Sequence, residues 1–448
     1  MADTLVISGA AVVTLDDDST VYHDGAVVVE GDGIVDVGPA GAVHGRRRET
    51  LRERRIDAAG AAVLPGLVDL HCHTAVERGG YTESLDLLTA LTEHWYPMVR
   101  GLDAETAYRC ALYTYARCLR SGTTTVNDMF RPIEGLAAAA EEIGIRATYA
   151  GLVATPETGL DSLEDNAAAF REVHGGGSGR IAVRIGIEWL PLASEELLVA
   201  ARRLADELGC GIHLHLSESS GEVESSLERF GRRPVAVAHD CGILGRDCIA
   251  AHCVQLGDED VAMLASTGTH VAHAPTANAK MGAGIAPVPE LLAAGINVGL
   301  GHDSTEGNNT SDLFEVMRAA VLVQRAAREN PAVLGALDAL RMGARNGARA
   351  LRIEAGVIAP GRAADLIVVD AGTDFFDPAV PAYQDNLLTR LVFATSGASV
   401  RTVIVAGRVV VENGRLTTVD EAEVAHRARD AVRRLKAASG RRPAKATP

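Results

Sequence analysis

Apolar and polar positions change their period twice along the chain. The first part breaks into short β-branched runs at 4–7, 11–15, 25–29 and 34–37, separated by Gly, Asp and Ser turns. Runs this short and this regularly punctuated predict a β-sandwich or small sheet. The same texture returns at 364–369, 391–393, 400–405 and 408–411, which predicts that both chain ends build one small β domain together. Between them, apolar strands alternate with helices rich in Ala, Leu, Glu and Arg. Eight strand candidates fall at 62–70, 124–126, 147–152, 181–186, 211–214, 248–251, 269–272 and 297–300. Eight strand–helix units over about 290 residues predict an α/β fold, a (β/α)8 TIM-like barrel. An open doubly wound sheet is the weaker alternative, because no Gly-rich phosphate turn follows the first strand. The predicted division is 1–61 and 353–448 for the composite β domain, the latter ending in a helix and basic tail, and 62–352 for the barrel.

Composition narrows the partners. With 43 basic and 59 acidic residues the formal charge is −16, which leaves no general electrostatic case for a nucleic-acid backbone or an anionic membrane. A basic cluster occurs at Arg433, Arg434 and Lys436, with Arg441, Arg442 and Lys445 beyond, and it reads as a solvated helix end. The opening Met1-Ala2-Asp3-Thr4 lacks a basic signal-peptide start, and no apolar run of about 18 residues suggests a membrane span. A cytoplasmic, homo-oligomeric enzyme with a small-molecule substrate is expected. Seven scattered cysteines indicate neither a disulfide framework nor a cysteine–zinc site.

In a barrel, functional side chains sit at the C-terminal ends of strands. Four predicted strand ends carry metal-compatible groups: His71 and His73, His213 and His215, His252, and His302 with Asp303. Alternation along a strand puts His71 and His73 on one side. It pairs His213 with His215 in the same way, and the residue nearer the rim, His215, is the candidate ligand. The expected ligand set is His71, His73, His215 and Asp303 around one divalent metal, zinc before Fe2+ or Mn2+. By the same alternation His302 points away, and His213, His270 and His273 are read as structural.

These residues sit in segments that resemble the amidohydrolase superfamily: 65–73 (PGLVDLHCH), 215–218 (HLSE), 251–254 (AHCV), 275–278 (PTAN), 301–303 (GHD) and 356–366 (GVIAPGRAADL). The resemblance is strongest to its branch of adenosylhomocysteine/methylthioadenosine deaminases, guanine-type deaminases and triazine hydrolases. It implies one metal held by His71, His73, His215 and Asp303, with a metal-activated water as nucleophile. Asp303 would take the water proton, Glu218 would protonate a ring nitrogen, and His252 would orient the nucleophile. The simpler readings are a helix cap for Glu218 and a core histidine for His252; the spacing of Glu218 from His215 and the strand-end position of His252 favour function.

Substrate contacts are expected from Glu188, Trp95, Asn278 and Asn308, with Glu93, His94 and Asn309 nearby. Glu188 stands where the adenosylhomocysteine deaminases have a substrate-binding histidine, and Leu87-Leu88-Thr89-Ala90 lies near the register of their Glu-Glu-Trp. Both departures argue against carrying over an adenosyl-nucleoside substrate. The function predicted is hydrolytic deamination of an amino-substituted N-heterocycle of purine, pterin, pyrimidine or triazine type. Removal of alkylamine or chloride from a triazine-like ring is the alternative, and a non-catalytic barrel scaffold the remote one.

Overall fold

A computed structural model describes residues 4–47, 53–76, 85–370 and 386–438. Both chain ends do meet in one sheet. In spatial order its strands are Arg415–Leu416, Arg408–Glu412, Val400–Val405, Leu366–Asp370, Ala61–Pro65, Thr4–Val13, Val21–Glu30 and Gly33–Pro39, with Glu53–Asp57 pairing Thr4–Val13. Leu366–Asp370 runs antiparallel to Ala61–Pro65, which ties the distant segments together. Alternation gives the sheet two apolar faces. One gathers Ile7, Val27, Val63, Leu366 and Ile404; the other sets Val6 and Val28 against Val43 of the helix Ala40–Arg46.

The eight barrel strands are β1 (Leu67–Cys72), β2 (Thr123–Met129), β3 (Arg146–Ala150), β4 (Ile181–Trp189), β5 (Ile212–Leu216), β6 (Cys248–His252), β7 (His270–His273) and β8 (Val298–Leu300). Each pairs in parallel with its sequence neighbour. All but two of their residues are buried, as a sheet covered on both faces requires. The ring closes through Asp303. Its N–H donates to the His71 carbonyl at 2.9 Å, and its own carbonyl accepts from the His73 N–H at 3.1 Å. Gly301 permits this approach, since a Cβ there would fall 2.5 Å from the His71 oxygen. The same contact that closes the barrel therefore joins three expected metal ligands.

Three local expectations need correction. The run 62–70 is two strands: Ala61–Pro65 belongs to the mixed sheet and β1 begins at Leu67. Gly66 is the crossing point, where a Cβ would collide with Thr124 at 2.1 Å. Residues 391–393 form no strand but end the helix Leu387–Phe393. Its buried Leu387, Leu391 and Val392 recur at i, i+4 and i+5, the spacing of a helix face. The runs 4–7 and 11–15 lie largely in one strand, Thr4–Val13, with register shifts between Ser8 and Val12. The basic residues 433, 434 and 436 lie on the helix Glu421–Ala438, whereas 441, 442 and 445 fall outside the described residues. No described helix is long and apolar enough to cross a membrane.

Candidate active site

Period-two alternation on β1 and β5 aims His71, His73 and His215 at one point, where Asp303 meets them from the end of β8. The three imidazoles share a pattern of hydrogen bonding on their far side. His73 Nδ1 donates to the Met129 carbonyl at 2.6 Å, and His215 Nδ1 donates to the Glu188 carbonyl. His213 Nδ1 donates to the Ile249 carbonyl at 3.1 Å, which leaves its Nε2 to accept from His71 Nδ1 at 2.9 Å. In all three rings Nδ1 thus carries the proton and Nε2 presents a lone pair. Burial reinforces the neutral state. It lowers His73 to about 3 and His215 to about 4, and holds His71 well below the usual histidine range.

The lone pairs converge with no proton between them. His73 Nε2 and His215 Nε2 are 3.2 Å apart, Asp303 Oδ1 lies 3.5 Å from His73 Nε2 and 3.9 Å from His71 Nε2, and His71 Nε2 is buried without a hydrogen-bond partner. Such a group of acceptors is repulsive unless a cation joins them. Ligand atoms about 2.0–2.1 Å from a tetrahedral ion stand about 3.3 Å from one another. The donor set and its spacing therefore fit one divalent metal.

His252, at the end of β6, is oriented differently. The Asn278 amide Nδ2 donates to its Nδ1 at 3.0 Å, so the ring proton sits on Nε2, 3.8 Å from Glu218 Oε1. His252 thus offers a donor to the centre where the other three offer lone pairs. Glu218 follows β5 and is buried. Burial, with the charges of Asp303, Glu222 and Glu188 adding, raises its carboxyl well above the usual range. Burial also pushes Asp303 up to about 7 and Glu188 up to about 8. Ser217, His252 and Asp303 all have positive φ (52°, 71° and 67°), a conformation uncommon outside glycine. That all three lie at the ends of β5, β6 and β8 marks the site as strongly as its chemistry does.

These groups open onto a cavity with about 740 Å³ of space that is continuous with solvent. Its apolar walls are Leu87, Leu91, Trp95, Trp189 and Met281, and Glu188 lies in its lining. Trp95 and His94 reach it from the π-helix Ala90–Trp95, while Glu93 does not line it. Asn278 and Asn308 do not line the cavity either. The Asn278 amide is spent on His252, and Asn308 Nδ2 donates to the His302 carbonyl at 2.9 Å, so both act behind the site. They also lie in short helices, Pro275–Lys280 and Thr305–Asn308, and not in loops. Asn309 ends the second of these and accepts from Lys280. His302 pairs with Asp69 on the far side from the ligands.

Sequence reasoning missed two contacts. The Tyr96 hydroxyl donates to Glu188 Oε1 at 3.1 Å, leaving Oε2 buried without a partner. His213, read as structural, sets the tautomer of His71. Its place two residues before His215 on the same strand face was the available signal. Nothing in the sequence pairs Tyr96 with a strand end 92 residues away.

The amidohydrolase family matches residues 62–410. The chain is 35% identical over 439 residues to the 5'-deoxyadenosine deaminase of Methanosarcina mazei, covering 97% of this chain and 99% of that one. It is 35% identical over 435 residues to the 5-methylthioadenosine/S-adenosylhomocysteine deaminase of Pelotomaculum thermopropionicum, covering 96% and 98%. Among solved structures it is similar to a zinc-bound adenosine deaminase from Xanthomonas campestris, with 28% identity, a TM-score of 0.90 and coverage of 97% and 98%. It is also similar to a zinc complex of atrazine chlorohydrolase from Arthrobacter aurescens, with 25% identity, a TM-score of 0.86 and coverage of 96% and 100%. The chain belongs to the amidohydrolase family. By class it is a metal-dependent hydrolase.

Proposed function

We propose that this protein is a hydrolytic deaminase of an amino-substituted N-heterocycle, with a nucleoside-like purine as the first substrate class to test. The observation that carries the reading is the convergence of three imidazole lone pairs and the Asp303 carboxylate beside the buried Glu218 carboxyl. His71, His73, His215 and Asp303 hold the divalent metal, most simply zinc. When bound it supplies a Lewis acid that brings the pKa of water toward about 7.

The side chains then divide the proton work. Asp303 accepts the proton released by the attacking water. Glu218, whose carboxyl burial pushes well above its usual range, delivers a proton to the ring nitrogen beside the carbon under attack. His252 Nε2–H donates to the oxygen that adds to that carbon, and Asn278 holds it in the tautomer able to do so. Trp95, with Leu91 and Trp189, packs the flat ring and keeps bulk water out. Glu188 Oε2 forms a hydrogen bond with a nitrogen of the substrate, with Tyr96 fixing the other oxygen. Asp303 then passes the water proton to the departing amino group, the hydroxyl proton of the tetrahedral adduct returns to Glu218 as the C=O bond forms, and the C–N bond breaks to release ammonia.

A screen for ammonia release over adenine nucleosides, guanine, pterins, aminopyrimidines and aminotriazines, with metal analysis of the purified protein, tests the reading. It fails if stoichiometrically metallated protein releases no ammonia from any ring. Glu218→Gln should keep the metal yet lose about 10²- to 10⁴-fold in kcat, and a loss below about threefold would leave Glu218 as a cap. Similarity to the chlorohydrolase structure supports a second reading, displacement of alkylamine or chloride from a triazine-like ring. Product analysis separates the two.

A further inference from the structure

Between β5 and the helix Ser220–Phe230 the chain bends sharply, with Ser217 at φ 52°. Glu218 sits in that bend. A second carboxylate, Glu222, lies beneath it and is fully buried at 0% exposure. Its Oε1 accepts from the Ser217 N–H at 2.8 Å and its Oε2 from the Glu218 N–H at 2.8 Å. Burying a carboxyl group is unfavourable unless hydrogen bonds compensate, and here two successive amides supply them although burial raises the group to about 7. Capping of the helix does not require them. Ser219 already caps it, accepting from the Glu222 N–H at 3.3 Å. Glu222 instead reaches backward, out of the helix, to the segment that carries Glu218.

We propose that Glu222 is a positioning residue for the deamination: a two-point clamp on the Ser217 and Glu218 amides that fixes the direction in which the Glu218 carboxyl enters the cavity. This rests on the reading of Glu218 as proton donor. Glu222 also adds, after burial and Asp303, to the upward push on the Glu218 carboxyl. Catalysis depends on such aim. A donor displaced by about 1 Å loses about 10²-fold although every reacting group is present.

The test is a double-mutant cycle. In Glu222→Gln one of the two amides faces an N–H in place of an oxygen, so the clamp holds at one point at most. Wild type, E218Q, E222Q and E218Q/E222Q are compared on the amino-heterocycle that scores highest in the ammonia screen, with metal content and Tm for each. E222Q should lower kcat at least about tenfold, leave KM within about threefold and retain its metal. In the E218Q background the same change should add less than about twofold, because a residue acting only through Glu218 has nothing left to position. A merely structural Glu222 lowers Tm and multiplies the E218Q loss, and either multiplication or a wild-type kcat in E222Q overturns the proposal. If E218Q itself turns over normally, the proton-donor reading has failed and not the clamp geometry alone. Should E222Q not fold, E222D keeps the charge but is one methylene too short to span both amides, and the same cycle and criteria apply.

Discussion

His213 does not line the cavity and is not proposed as a metal ligand, yet its loss should weaken metal binding. Its Nδ1–H is committed to the Ile249 carbonyl at 3.1 Å, so its Nε2 can only accept, and it accepts from His71 Nδ1 at 2.9 Å. That bond keeps the lone pair of His71 on Nε2, facing Asp303 and the other ligands. In His213→Leu the His71 Nδ1–H is buried without an acceptor, a defect of about 1–3 kcal/mol. The ring relieves it by moving its proton to Nε2, the nitrogen the metal needs. Restoring the ligating tautomer then draws the same energy from binding, which corresponds to an affinity loss of about 5- to 150-fold and agrees with the 10–100-fold typical of groups that orient metal ligands. Apoprotein titrated with zinc against a chromophoric chelator measures this without reference to turnover. His213→Gln carries an acceptor and a donor of its own and should stay within a few-fold of wild type. If H213L binds zinc as tightly as wild type, or if H213Q is as weak as H213L, the tautomer argument is wrong.

Other consequences are more direct. His71→Ala and Asp303→Ala should lose most bound metal and nearly all activity while keeping the wild-type circular dichroism, because the barrel closes through the Asp303 backbone and not its side chain; near-stoichiometric metal in both would sink the site. Glu188→Gln should retain metal but lose about 5- to 150-fold in kcat/KM from a poorly matched buried partner. Its partner within the protein is Tyr96, so unchanged kinetics with a lowered Tm would remove Glu188 from substrate contact. His270 gives a pH signature of stability. Burial lowers it from 6.5 to about 4, its Nε2 donating to the Arg246 carbonyl and its Nδ1 accepting from Asn297. A depressed folded pKa means the unfolded chain takes up the proton first. The contribution is therefore complete above about pH 6.5 and is lost as pH falls through about 4, amounting to about 3 kcal/mol at most. Urea unfolding of wild type and His270→Gln at pH 7 and pH 4 should show the smaller pH dependence in the variant; equal slopes would refute it.

What the sequence made legible follows from periodicity. A period of two on 71/73 and 213/215, at the ends of apolar runs, is enough to direct side chains to one rim, because a strand admits only two faces. That logic locates candidate ligands without contacts. It does not locate groups brought in by helices. Tyr96 lies one residue past the π-helix that walls the cavity, and its hydroxyl finds Glu188 only once that helix is laid across the barrel. The same limit explains Asn278 and Asn308, which were expected at the substrate by proximity to strand ends. Each follows a strand end by several residues and turns its amide inward, to His252 and to the His302 carbonyl. The run 62–70 failed for another reason. A continuous apolar stretch carries no mark of which sheet it pairs with, and the change of sheet at Gly66 depends on Thr124, 58 residues on.

The chemistry of the four imidazoles is decided by what lies behind them. Identical side chains at three strand ends turn a lone pair or a proton to the centre according to whether Nδ1 meets an acceptor or a donor. Met129 O, Glu188 O and His213 Nε2 are acceptors, so His73, His215 and His71 turn lone pairs to the centre. Asn278 Nδ2 is a donor, so His252 turns a proton to it. Distance alone does not make this division, since His252 lies close enough to His71 and His215 to be grouped with them as a possible metal site. Two of these four orienting atoms are backbone carbonyls, which every residue possesses and no sequence motif records. A motif of histidines can therefore be read from the chain, while the role of each histidine is written in the register between neighbouring strands.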